Sequence, residues 1–174
     1  PAPLFVDRAT ECHVTPQDVA KRMVEYTGPQ NDSLTLEPSA GMGALINALL
    51  SADYKAENLV AIERHNTLVS ALNIPGAEVI NDCFLDYAQR MAGMIIFPRI
   101  IMNPPFSQVR KHMKAAFSLL GCDENDEPAI LVALVPITYQ HEDAETLEIL
   151  PDTTFSTARV NTKIIRIERQ NSGL

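Results

Sequence analysis

Long uncharged apolar runs are missing from this sequence, and so is a basic-then-apolar leader ending in a small-residue cleavage site. The first absence argues against a membrane-spanning helix and the second against a secretory address, so the expectation is a soluble, cytoplasmic protein that engages no membrane. Cysteine is scarce. Cys12, Cys83 and Cys122 are odd in number and far apart, and the 4 histidines do not fall at metal-ligand spacings with them. That pattern suggests neither a disulfide framework nor a zinc site, and no metal is expected. Positive charge is short as well. The chain has 14 Lys and Arg against 22 Asp and Glu, a net charge of −8 that opposes diffuse association with nucleic acid.

What is present is a chain of 174 residues with 46% hydrophobic content. This suits one compact domain over 1–174, large enough for a central sheet covered by helices on both faces. The charge is unevenly spread. Arg99, Arg110, Lys111 and Lys114 form a stretch with no acid, and Arg159, Lys163, Arg166 and Arg169 stand against Glu168 alone. The acids gather at Asp123, Glu124, Asp126 and Glu127, and again from Glu142 to Asp152, where solvated loop and helix faces are expected.

Periodicity supplies the elements. Thr15-Pro16 followed by Val19, Ala20, Met23 and Val24 reads as a helix capped by Thr15, with proline at its first position, ending near Tyr26 and Gly28. A short strand at 33–36, a loop at 37–43 and a helix at 44–50 form a strand, glycine loop, helix unit. Further strands are expected at 59–62, 78–80, 99–102 and 129–135, with helices through 68–72 and 109–120. The almost wholly apolar run 129–135 suits the centre of a parallel sheet. A terminal hairpin is expected over 154–168, around Asn161-Thr162. Strands alternating with helices predict a doubly wound α/β fold: a mostly parallel, seven-stranded, Rossmann-like sheet ending in an antiparallel hairpin. Its ligands would sit beyond the carboxyl ends of the strands.

The run Ile100-Ile101-Met102-Asn103-Pro104-Pro105-Phe106 carries the chemistry. A planar amine is a poor nucleophile because its lone pair is delocalised, so a catalyst must accept its hydrogens. The Asn103 side-chain oxygen can accept one and the Pro104 carbonyl another. Pro104 and Pro105 stiffen the loop, and Phe106 offers a flat face for stacking.

The cofactor half is built from three strand ends. Gly41 and Gly43 let backbone approach a ligand at a helix N-terminus. A dinucleotide fingerprint would want a third glycine where the chain has Ile46, and no Gly-Lys-Ser/Thr follows the loop, which disfavours NAD and nucleotide phosphates. Glu63 can take both hydroxyls of a ribose. Asp82 can accept from an adenine amino group, with the Cys83 backbone at the ring edge and Asp86 as a competitor. S-adenosyl-L-methionine fits such a site.

The order Thr15-Pro16, Glu37-Pro38-Ser39-Ala40-Gly41-Met42-Gly43, Glu63, Asp82, Asn103-Pro104-Pro105-Phe106 resembles the class I amino-methyltransferases over nearly the whole chain. In motif order it is most similar to adenine-N6 DNA methyltransferases of the gamma arrangement. The resemblance implies cofactor contacts at Thr15, Glu37, Ala40, Gly41, Glu63, Asp82 and Asn103, and an acceptor held by Asn103, Pro104 and Phe106. Gamma-type enzymes usually carry a separate target-recognition region, which this chain is not expected to contain, so a partner subunit for recognition is an expectation.

On the acceptor side, Arg110 and Lys111, with Lys114 behind them, would meet phosphates of DNA. Tyr139 would wall the pocket and Phe155 sandwich the acceptor, while His112 reads as a surface residue and Met42 and Met102 as packing. The same motif resembles those of ribosomal RNA guanine-N2 and protein glutamine-N5 methyltransferases. A degenerate, cofactor-binding interaction module is the remaining class.

Overall fold

A computed structural model describes residues 13–124 and 127–170. Cys12 and Asp126, on which expectations fall, lie outside the described residues. The elements run α1 (Gln17–Thr27), β1 (Thr35–Glu37), α2 (Ala44–Ser51), β2 (Leu59–Glu63), α3 (Asn66–Ala71), β3 (Glu78–Asn81), α4 (Phe84–Met91), β4 (Arg99–Met102), α5 (Val109–Leu119), β5 (Ala129–Pro136), β6 (Ala144–Leu150) and β7 (Thr162–Arg169).

The strands form one 7-stranded sheet in the order β3-β2-β1-β4-β5-β7-β6. β3, β2, β1, β4 and β5 pair in parallel, and β7 runs antiparallel to both β5 and β6. The chain winds outward from β1 to β3, then returns to the other side of β1 with β4. The β1/β4 boundary is therefore the switch point where a crevice opens.

Period-2 alternation divides the central strands between two cores. Ile100 and Met102 with Leu131, Ala133 and Val135 pack under α4 and α5, whereas Ile101, Ile130, Val132 and Leu134 pack under α1 and α2. This two-faced burial is why β5 reads as a continuous apolar run. Among the described residues no helix is long and apolar enough to cross a membrane.

The structure departs from the periodicity reading in three places. α4 was not expected, although Phe84, Tyr87 and Ala88 are spaced for one buried helical face and all three are buried. The terminal hairpin is longer and begins earlier. Its first strand, β6, lies within the acidic stretch read as a solvated face, and 151–161 only connects the strands. A register irregularity between Thr146 and Glu148 breaks the alternation that would have marked β6. Glu148 is also tied down, accepting from Arg22 Nε at 2.9 Å and from the Tyr26 hydroxyl at 2.8 Å. The third departure is at Thr15. Residue Pro16 precedes α1 with no side-chain cap, and the Thr15 hydroxyl is engaged elsewhere.

Candidate active site

The carboxyl ends of β1 to β4 surround a cavity of about 160 Å3. Ala40 and Gly41 line it from the β1 loop, Glu63 from β2, and Asp82 and Cys83 from β3. Asn103 and Pro105 line it from the loop after β4, and Thr15 from the segment before α1. Residues from His13 to His112 thus share one crevice, which both Glu63 and Asn103 line.

Local backbone chemistry fixes the Glu63 carboxylate. Its Oε2 accepts the Gly41 N–H at 2.8 Å and its Oε1 the His65 N–H at 2.9 Å, leaving each oxygen a free lone pair. Gly41 sits at φ +52°, a left-handed conformation that turns its N–H toward the carboxylate. A buried acid with spare acceptor capacity suits vicinal hydroxyls.

Asp82 Oδ2 pairs with Arg90 at 2.5 Å, and this bond, helped by the Cys83 N–H on Oδ1 at 2.8 Å, holds its carboxyl below the usual range. The side chain is therefore an ionised acceptor in the cavity lining. The Cys83 N–H is engaged by that same carboxylate. Asp86 lies exposed on α4, outside the cavity wall.

Glu37 and Gly43 do not line the cavity. Glu37 is 1% exposed beneath the loop; its Oε1 accepts the Ser39 N–H at 3.2 Å, and its Oε2 has no partner. Burial pushes this carboxyl well above its ordinary range, and the nearby Glu63 charge adds to that against the Ser39 hydrogen bond. Gly43 stands before α2 at φ +86°, and a Cβ there would meet Leu72 Cδ2 at 2.9 Å.

Asn103 has its orientation decided by an unambiguous neighbour. Its Nδ2 donates to the His13 carbonyl at 3.0 Å and to Thr15 Oγ1 at 3.0 Å. A carbonyl can only accept, so the amide must turn its NH2 that way, and both amide hydrogens are engaged. Oδ1 is left as an acceptor.

Beside it stands an aromatic group. The His13 ring stacks on Phe106 with centroids 5.1 Å apart and planes 15° apart, and Phe155 meets Phe106 edge-on at 5.6 Å. His13 Nδ1 also bonds Thr157 Oγ1 at 2.8 Å. The Phe106 face expected to be open is thus covered by a flat nitrogen heterocycle. Pro104 is buried.

His112 corrects the surface reading. It is 7% exposed, lines the cavity, and keeps Nδ1 buried without a partner. Burial, with the Arg64 charge adding, pushes its pKa down from 6.5 to about 4, so the imidazole is neutral. Sequence reasoning missed it although it shares the buried stripe of Ala116 and Leu119 on α5. Arg110 and Tyr139 line a separate groove, and Lys111 is exposed on α5 outside both hollows.

No family model and no curated protein matches the sequence. Solved structures do resemble the fold. The 23S rRNA methyltransferase ErmE is 16% identical over 92% of this chain and 70% of its own, with a TM-score of 0.68. PH1948 from Pyrococcus horikoshii, described as a candidate RNA methyltransferase, is 15% identical over 98% of this chain and 90% of its own, with a TM-score of 0.70. The chain has a methyltransferase fold. A protein from Vibrio vulnificus YJ016, described as a modification subunit of a candidate type I restriction enzyme, is 15% identical with a TM-score of 0.71. This chain covers 44% of that protein's length.

Proposed function

We propose that this protein is an S-adenosyl-L-methionine-dependent methyltransferase acting on an exocyclic amino group of a nucleic acid, with N6 of adenine in DNA as the first substrate. The observation that carries the reading is Asn103. Its amide hydrogens are engaged by His13 and Thr15, so Oδ1 remains as an acceptor in the wall that also holds Glu63 and Asp82.

The donor set suits the cofactor. Glu63 would hold the ribose hydroxyls and Asp82 the adenine amino group, while Thr15, Ala40 and Gly41 would border the remainder. When bound, S-adenosyl-L-methionine supplies an electrophilic methyl group. Asn103 Oδ1 and the Pro104 carbonyl accept the hydrogens of the acceptor amine, which keeps its lone pair directed into the cavity. A neutral amine can lose its proton after the bond has formed, so the site needs acceptors rather than a strong base. Phe106 provides the stacking face, and the His13 ring marks the place a flat heterocycle would take.

The order of motifs supports adenine in DNA as the acceptor. A second reading places the same chemistry on RNA, which the likeness of the fold to a 23S rRNA methyltransferase, ErmE, favours. Labelled cofactor offered with separate DNA, ribosomal RNA and protein pools distinguishes them. Label is expected in DNA, and Asn103→Ala should lower transfer at least ~100-fold, the scale of losing one polar contact to the reacting group. Equal incorporation by the variant and the parent would remove Asn103 from the chemistry.

A further inference from the structure

α5 has two working faces. Its buried stripe, His112, Ala116 and Leu119, packs inward, whereas Arg110, Lys114 and Phe117 follow one another along another side at helical spacing. That second side borders a groove of about 420 Å3, closed opposite by Tyr139, Gln140 and His141 from the segment after β5. β4 and β5 are parallel neighbours, so Asn103 and this segment both follow carboxyl ends of adjacent strands, β5 running on to Pro136 after β4 has ended at Met102. The groove is separate from the cavity but adjoins it through α5, whose His112 lines the cavity and whose Arg110 lines the groove.

Its lining combines two chemistries. Arg110 and Lys114 are exposed and have no carboxylate partner among the described residues, in a chain of net charge −8. Their mutual repulsion at i,i+4 does nothing for the fold, and Arg110 in the first turn also opposes the helix dipole. Rings lie between and opposite them. Phe117 meets His141 at 5.2 Å and is covered by the Arg169 guanidinium at 4.9 Å, and Tyr139 is half-buried. Cations to track a phosphodiester backbone, interleaved with rings on which bases stack, are what a single strand requires. An acidic peptide would use the cations and leave the rings idle.

We propose that this groove seats the single-stranded nucleic acid flanking the acceptor nucleotide, with Arg110 and Lys114 on phosphates and Tyr139 and His141 against a neighbouring base. The proposal rests on the methyltransferase reading for its geography, but its test is independent of turnover.

The full chain is titrated into labelled strands of about 12 nucleotides, as single-stranded DNA, single-stranded RNA and duplex DNA, with anisotropy read across a salt series. Single strands should bind more tightly than the duplex, and the DNA and RNA arms identify the sugar. The Arg110→Ala, Lys114→Ala double variant should shallow the logarithmic salt slope by about 1.4, from two contacts at about 0.7 each. Tyr139→Leu, which keeps apolar bulk, should weaken binding roughly 5- to 150-fold and leave that slope unchanged.

The groove assignment is overturned by any of three results: no strand bound by the parent, tighter binding of duplex, or parental affinity and slope in the double variant. Displacement by polyglutamate as effective as by unlabelled strand would assign the surface to acidic partners and also overturn it. Cofactor affinity, read in parallel by calorimetry, should be the same in all variants. Its absence in the parent would sink the methyltransferase reading without touching the strand-binding result.

Discussion

An imidazole in water is half protonated near pH 6.5, but His112 is walled in against Phe84, with ring centroids 5.8 Å apart, and its pKa falls to about 4. The consequence is a stability effect of defined sign. As pH falls from 6.5 toward 4, the unfolded chain binds a proton at this residue and the folded one does not, so His112 destabilises the protein across that window. Above it the penalty vanishes. The cost at the acid end is on the order of 2 kcal/mol after allowance for solvent screening. Urea unfolding of the parent should lose that much more stability over the window than His112→Leu does. Parallel losses in the two proteins would show that other groups carry the acid sensitivity. The same burial makes His112 a neutral polar group in the cavity wall and not a surface base.

Elements are joined here by small backbone requirements. Gly43 ends the β1 loop at φ +86° and begins α2, and Leu72 at the end of α3 lies where its Cβ would go. Gly43→Ala should therefore cost about 1–2 kcal/mol for the left-handed backbone alone, with further loss as Leu72 shifts. Thermal unfolding checks this, and a variant as stable as the parent would mean the loop relaxes freely. The elements missed by sequence reasoning share a cause. β6 is interrupted by its register irregularity, and in α4 the charged and polar Asp86, Gln89 and Arg90 stand between and beside the buried Phe84, Tyr87 and Ala88, so the apolar period is diluted in both. β5, with both faces buried, was legible because every position but the last is apolar and enclosed.

For the whole molecule, the decisive property is the convergence of strand ends at the β1/β4 switch point. A ligand that binds only this assembled crevice should raise the unfolding midpoint. S-adenosyl-L-methionine at about 100 times its dissociation constant should add about 2.7 kcal/mol. Glu63→Ala should abolish most of that shift, and an unchanged shift would detach Glu63 from the ligand. The doubly wound topology and the meeting of the Gly41, Glu63, Asp82 and Asn103 loops were legible in the sequence, because alternation of strands and helices leaves few right-handed ways to wind the sheet; the strand order was not.

The sequence by itself determined which loops stand at the carboxyl ends of the strands and which polar groups they carry, since these follow from local periodicity and motif order. Only the tertiary structure decided how those groups are directed. The amide of Asn103 is turned by His13 and Thr15, 90 and 88 positions away, and the His13 ring is held by Thr157 from 144 positions away. Glu37 is drawn beneath its loop, His112 is enclosed, and Arg110 joins Tyr139 across a groove, each through packing between distant segments. Hydrogen-bond direction and desolvation depend on what lies within a few ångströms in space, and no local pattern along the chain encodes that neighbourhood.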